Sequence, residues 1–458
     1  MKKYLLTAAQ NMHYQWIRCY GTQQVSGLSV VAAFQADMDV ELLKKSINTV
    51  IEQYSCLRLQ FTKPTKKGAI KQYIAEYKEQ DFPEKDLTDM SLEEADQIMQ
   101  TWAYNTFEGD NIPVCEFFIV HLPENYNGFF VHMDHRLCDS VGIAVMVSKI
   151  MGAYTHLKYG IDNKDVVVDF EEVLKSDLEK EANPKRLARA KKFWDSQLDQ
   201  YGEPLYSDIQ GNSVLEASRK KHGNPNLRAA DFEKENLLVL VKDYALEAEN
   251  TKRVIDFCKE YSISPTNLLI LVIRTYLSKV CDGQEDITVE NFISRRSTRE
   301  ETYSGGSRTI CYPCRTVIGP ETTFLEASKI IQNVLNRTYM YGNYDPEDIR
   351  AEMKKRYGTP DDTTYVSCYL TYQPPMQANK EVFRTPSHIK WFANGAATKK
   401  MYLTVSHLAG GEMNFSYHYQ AADLTEEDME ILYYYMMRIM FRGIEDPNRT
   451  IGEIMEMV

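Results

Sequence analysis

Residues 128–142 read Gly128-Phe129-Phe130-Val131-His132-Met133-Asp134-His135-Arg136-Leu137-Cys138-Asp139-Ser140-Val141-Gly142. Alternation along a strand sets Phe129, Val131, Met133 and His135 on one face and Phe130, His132 and Asp134 on the other. Asp139 and Ser140 stand directly before an apolar run from Val141 to Tyr154, and both residue types cap helices well. The stretch therefore reads as a strand, a tight turn and a buried helix. His135 leaves the sheet edge at that turn, where reactive side chains are often carried. An imidazole with an ordinary pKa near 6.5 is the side chain best suited to move a proton at neutral pH. Taken alone, a histidine at a strand end is more often structural than reactive. His132 belongs to the opposite face and reads as structural.

Working outward, strands and helices alternate on both sides of this stretch without a short fixed repeat. Leu28–Phe34 reads as a strand, and Val40–Tyr54 as a helix with apolar residues at helical spacing and Asp39 as its cap. Gln72–Tyr77 is a short strand and Ser91–Trp102 a helix with Glu93 and Glu94 in its first turn, where the helix dipole favours anions. Cys115–His121 pairs with Gly128–Met133 across the turn-rich Pro123–Asn127. A charged helical stretch runs from about Phe170 to Leu198, followed by the Gly-, Asn-, Ser- and Pro-rich segment Ser207–Ala230, which reads as a linker. The pattern then restarts. Strands are expected at Leu237–Val241, Ile287–Ile293, Tyr365–Tyr372, Met401–His407 and Met413–Tyr419, the last two joined as a hairpin through Ala409-Gly410-Gly411-Glu412. Helices are expected at Lys252–Tyr261, Thr266–Val280 behind Ser264-Pro265, Leu325–Tyr339 and Glu426–Arg442. Two halves of similar content imply two α/β subdomains.

Composition narrows the class. A chain of 458 residues with 43% hydrophobic and 11% aromatic residues can bury a large core, which excludes intrinsic disorder. Lys and Arg total 53 against 65 Asp and Glu, a net charge of −12, so nonspecific binding to a nucleic-acid backbone is not expected. No segment approaches the roughly 18 apolar residues of a membrane span. The opening Met1-Lys2-Lys3-Tyr4-Leu5-Leu6 imitates a signal peptide, but Gln10, Asn11 and His13 cut it short. Nine cysteines, an odd number spread from Cys19 to Cys368, fit reduced thiols and a cytoplasmic location. Cys311 and Cys314 have two residues between them, but no second ligand pair accompanies them and Thr316-Val317-Ile318 continues as a strand. They read as structural, and no metal site is expected.

The His135-x-x-x-Asp139 run resembles the active-site motif of the condensation domains of nonribosomal peptide synthetases, in a superfamily that also holds chloramphenicol acetyltransferase and the wax ester synthases. Further segments resemble that family in its order. They are Thr7-Ala8-Ala9-Gln10; Tyr54-Ser55-Cys56-Leu57-Arg58-Leu59-Gln60-Phe61, with Tyr54 in place of a histidine; Phe193-Trp194-Asp195-Ser196-Gln197-Leu198; Asn291–Arg296 with Tyr312-Pro313-Cys314-Arg315; and the closing hairpin and helix. The similarity spans essentially the whole chain. Two departures stand in the central motif: Asp134 replaces its first histidine and Ser140 its closing glycine.

The resemblance implies two chloramphenicol-acetyltransferase-like subdomains in a V-shaped pseudo-dimer with a central tunnel. The expected divisions are 1–175 for the N-terminal subdomain with the motif, 176–230 for a helical crossover and linker, and 231–458 for the C-terminal subdomain. It further implies that His135 is the catalytic residue, taking a proton from an acceptor amine or hydroxyl, or orienting it, as it attacks an acyl thioester. Asp139 would be structural support, ion-paired with Arg58, and Ser140, Gly142 and Asp134 would lie along the substrate tunnel. No cofactor is expected to be resident; the donor thioester would arrive on the phosphopantetheine of an acyl- or peptidyl-carrier protein or as acyl-CoA, and the acceptor would be a small molecule.

The first motif begins at Thr7 and the last helix lies near the C-terminus, so a free-standing acyltransferase is expected, without adenylation or carrier modules. Tyr303-Ser304-Gly305-Gly306-Ser307 reads as a glycine loop rather than a carrier's modified serine. Lys63, Lys66 and Lys67 are one candidate docking patch, but they read first as a solvated loop. Two other classes stay open: a catalytically silent relative that binds carrier proteins as a scaffold, and a small-alcohol or antibiotic O-acetyltransferase.

Overall fold

Both faces of the central strand are apolar, so it must be covered on both sides. The computed structural model, which describes residues 1–161, 167–342, 344–374, 385–408 and 410–458, shows this cover. The first helix, α1 (Ala8–Tyr20), opens on Thr7, which accepts from the Gln10 backbone while the Gln10 side chain reaches back, a full capping box. Then come β1 (Gly27–Gln35), α2 (Val40–Gln53) with Asp39 as its cap, β2 (Cys115–Leu122), β3 (Tyr126–Asp134) and α3 (Ser140–Tyr159). β3 lies antiparallel between β1 and β2, with Ser29 opposite His132 and Phe117 opposite Val131. The five-stranded sheet is completed by Ser387–Phe392 beside β1 and Glu84–Asp86 beside β2.

Phe129, Val131 and Met133 pack with Leu43 and Ile47 of α2 and Ile143, Met146 and Ile150 of α3. Phe130 packs on the other face with Ala95 and Met99 of the helix Leu92–Trp102. The alternation expected for the strand is thus the alternation of two cores. Gly128 lies opposite Ala33, and a Cβ on it would stand 2.1 Å from the Ala32 carbonyl oxygen. Only glycine fits there.

The second α/β unit holds a six-stranded sheet in the order Thr309–Val317, Asp286–Ser294, Cys368–Gln373, Met401–His407, Met413–Gln420, Val239–Leu246. Its core is formed with the helices Pro265–Val280, Phe324–Met340 and Glu426–Glu445. The hairpin strands pair antiparallel, Met401 opposite Tyr419; Ala409 of the expected turn lies outside the described residues.

Three expectations are corrected. The stretch Phe170–Leu198 is two helices, α4 (Phe170–Glu181) and Pro184–Tyr201, because the proline disfavours helical backbone in the residue before it. Ser207–Ala230 is not a free linker: it contains the helix Ser213–Lys221, and Tyr206, Leu215 and Ala230 form a small core. Asp208 within it is fully buried and ion-paired with Lys400 at 2.8 Å. The units are also not the continuous spans 1–175 and 231–458. The first comprises Met1–Asn183 together with Ser294–Thr309 and the described part of 377–396, and the remainder forms the second. Backbone pairing explains one of these transfers, since Ser29 of β1 lies opposite Phe392.

Candidate active site

α3 starts where Asp139 places its carboxylate over the first turn, accepting from the Gly142 backbone N–H at 3.0 Å. Asp139, and not Ser140, is therefore the cap; Ser140 is the first helical residue and half-buried. The same carboxylate takes a bidentate fork from Arg296, Nη1 to Oδ2 and Nη2 to Oδ1, both at 2.7 Å. It also accepts from the backbone N–H of Arg308 at 2.9 Å, the N–H of Thr309 at 3.0 Å and the Thr309 hydroxyl at 2.9 Å. Burial alone would push this carboxyl up. The Arg296 guanidinium and the converging N–H donors overcome that and hold it well below the ordinary carboxylate range.

Arg58 is not the partner of Asp139. It donates to the carbonyls of Ile51 at 3.1 Å and Glu52 at 3.2 Å, in the last turn of α2, and to Ala75, so it caps that helix C-terminus. Its guanidinium is used up where its own chain turns. Arg296 comes instead from an arm, Ser294–Thr309, that belongs to the first unit although it lies far along the sequence. Three ion pairs bind this arm to α4: Arg295 to Glu181 at 2.7 Å, Lys180 to Glu301 at 2.8 Å, and Arg308 to Asp177. The glycine loop sits in it. Gly305 and Gly306 have φ of +79° and +83°, and a Cβ on Gly306 would press 2.7 Å from the Phe170 ring. These glycines let the arm turn beneath α3, where the Arg296 Nη2 also donates to the Gly306 carbonyl.

The other expected residues divide sharply. Asp134 is buried and held by Arg136, Nε to Oδ1 at 2.9 Å and Nη2 to Oδ2 at 2.6 Å, with the Ser26 hydroxyl at 3.1 Å. The short motif loop thus carries its own counter-charge. Gly142 is buried too, its carbonyl accepting from the Tyr54 hydroxyl at 3.1 Å, and a Cβ there would lie 3.0 Å from Cys138 Sγ. Its backbone N–H and carbonyl are both engaged at the helix start. His132 is structural: Nδ1 accepts from the Ser29 hydroxyl at 2.8 Å, Nε2 donates to the Asn105 carbonyl at 3.0 Å, and Phe107 stacks on it. Burial lowers its pKa, which keeps it neutral. Cys311 and Cys314 are buried, with thiol pKa values pushed up by burial.

His135 is the exception. It is half-buried, its backbone N–H donates to the Ser26 carbonyl at 2.7 Å, and its ring lies parallel to that of His13 on α1, centroids 4.0 Å apart at 20°. Asp134 and Asp139, the two carboxylates of the motif loop, are paired with arginines, and His135 stands half-buried between them in the sequence, just before the start of α3. Sequence reasoning finds neither Arg296 nor His13 as a member of the site. The signals are faint: Arg296 closes the Asn291–Arg296 segment, and His13 lies one turn beyond the Thr7–Gln10 capping box.

Comparison with known proteins identifies the fold and the family. Among solved structures, the chain is similar to the first condensation domain of the calcium-dependent antibiotic synthetase in complex with a substrate analogue, with a TM-score of 0.79, 13% identity, and 99% of this chain and 98% of that one covered. It is similar to a variant of the starter condensation domain of rhizomide synthetase RzmA in complex with C8-CoA, with a TM-score of 0.78, 15% identity, and 98% and 97% covered. It is also similar to VibH, an NRPS condensation enzyme, with a TM-score of 0.74, 12% identity, and 97% and 99% covered. A plipastatin synthase of Bacillus subtilis (strain 168) is 20% identical over 460 residues, which take in 98% of this chain and 17% of that protein; the chain spans about a sixth of the length of this curated relative. The family model of the Condensation domain matches residues 1–457, and the chain belongs to the Condensation domain family.

Proposed function

We propose that this protein transfers an acyl group from a thioester, carried by a carrier protein or by CoA, to the amine or hydroxyl of a small acceptor. His135 takes the proton from the acceptor as its nitrogen or oxygen attacks the thioester carbonyl, and the thiol leaves. One observation carries the reading: Asp139 is saturated by Arg296 and by backbone donors, while His135, four residues earlier, is half-buried with its backbone pinned. Asp139 then serves by fixing the loop that presents His135, not by touching the reacting atoms. Positioned proton transfer contributes about 10²–10⁴-fold, and holding both reactants adds more. His135→Ala should lose turnover by roughly 10²-fold or more with an unchanged thermal midpoint, read by mass spectrometry over a panel of acyl-CoA and acyl-carrier donors with amine and alcohol acceptors. Wild-type rates in that variant would refute the reading.

A second reading, a scaffold that binds carriers without turnover, is favoured by Ser140. It puts a half-buried side chain at the first turn of α3, where the family has glycine. Ser140→Gly separates the two: turnover gained or kept speaks for the enzyme, and inactivity of both forms on every donor speaks for the scaffold.

A further inference from the structure

α1 presents Gln10 and His13 on one face, three residues apart. Gln10 and Gln72 exchange reciprocal amide hydrogen bonds, at 2.7 and 2.6 Å, and the Gln10 Nε2 also donates to the Arg136 carbonyl at 3.1 Å. Gln72 in turn donates to the Leu5 carbonyl at 2.8 Å, so the start of α1 is tied down on both sides. One turn on, His13 is 3% exposed and meets the edge of Trp16, centroids 4.9 Å apart at 83°. A flat face of the His13 ring covers His135 at 4.0 Å. α1 therefore grips two consecutive residues of the motif loop, the carbonyl of Arg136 and the ring of His135.

Rotation of a histidine ring about its last torsion is soft, so a backbone anchor does not orient the imidazole. A flat ring held against it does. We infer that His13 is a positioning residue for His135: by stacking, it fixes the plane in which the His135 nitrogens meet the acceptor. Nothing in this role requires His13 to titrate. The inference rests on the proposed role of His135, but the order of the His135 ring can be read without turnover.

The test uses the full chain labelled with ¹³Cε1 histidine. Nine histidines give nine ring signals, and His135→Ala assigns the one that matters. In wild type the His135 signal should be sharp and shifted upfield by the His13 ring current. His13→Phe, which keeps a flat ring, should retain the shift. His13→Leu should lose it and broaden the signal, and kcat should fall by about 10²-fold with KM unchanged, the scale expected when a reacting group is misplaced. An unchanged His135 signal in His13→Leu, or identical behaviour of the Phe and Leu variants, overturns the inference. Should His13→Leu be recovered unfolded, His13→Met and His13→Gln serve the same arm. Failure of all three to fold also overturns it, because His13 would then be a core residue only. If His135→Ala turns over normally, the base role fails while the ring signals still judge the stack.

Discussion

Arg58 and Arg296 show how little a residue type says about its partner. Both are arginines in segments that resemble family motifs, yet one closes α2 through carbonyls and the other neutralises a carboxylate 157 residues away. The consequences of removing them differ. Arg296→Ala leaves Asp139 buried and uncompensated and should cost about 3–5 kcal/mol. Arg58→Ala removes hydrogen bonds that water can partly replace, and should cost about 1–2 kcal/mol. Urea midpoints of the two variants check this ordering. Adding Asp139→Asn to Arg296→Ala should cost less than the sum of the single changes, since it removes the orphaned charge. Strictly additive losses would show that the two do not interact.

At the scale of elements, what is legible in the sequence is what is local. Asp39, Ser264 and Asp139 each cap a helix whose apolar spacing follows within a few residues, and the two-faced strand Tyr126–Asp134 carries its pattern in its own alternation. The glycine loop is readable as a loop, but its task is not, because that depends on Phe170 and Cys56 packing against it. The break before Pro184 is written in the proline itself, yet the charged residues on either side mask it as one continuous helix. The arm Ser294–Thr309 cannot be assigned to the first unit from sequence: its ion pairs with Asp177, Lys180 and Glu181 join segments more than a hundred residues apart. Its two positive-φ glycines should be sensitive to substitution. Gly306→Ala faces an unfavourable backbone conformation and the Phe170 ring, and should cost about 1–3 kcal/mol. Gly160→Ala, also at positive φ but in open space, should cost only about 1 kcal/mol. A thermal-shift series over both variants tests the difference.

Over the whole molecule, these carboxylates set the response to acid. Asp139 is held low by Arg296 and its N–H donors. At Glu301 burial pulls upward, but Lys180 and the Ser297 donors bring the carboxyl down to about 2. Both are thus lower in the folded chain than the ordinary unfolded value near 4. Their contribution is therefore complete above that value and is lost as pH falls through the folded pKa values. Asp177 and Glu181 run the other way: burial raises them, so at neutral pH they subtract from stability, and protonation on mild acidification relieves that cost. Urea midpoints should thus rise slightly from pH 7 to about 4.5 and fall steeply below about 4, with a shallower acid limb in Asp139→Asn. A uniform decline from pH 7 would contradict this balance.

The position of the arm along the chain also has a meaning in time. Asp139 leaves the ribosome 157 residues before Arg296. At about 5–20 residues per second, that is a delay of roughly 8–30 s during which the nascent chain has the acid but not its base. Until then α3 starts on a carboxylate that must stay hydrated, so its N-terminal turn cannot settle into its final burial. A fragment ending at Asn183 should accordingly be protease-sensitive around residues 134–142. Supplying a peptide of residues 294–309 in trans should protect it, and a fragment already resistant without the peptide would show that the cradle forms before its arginine arrives.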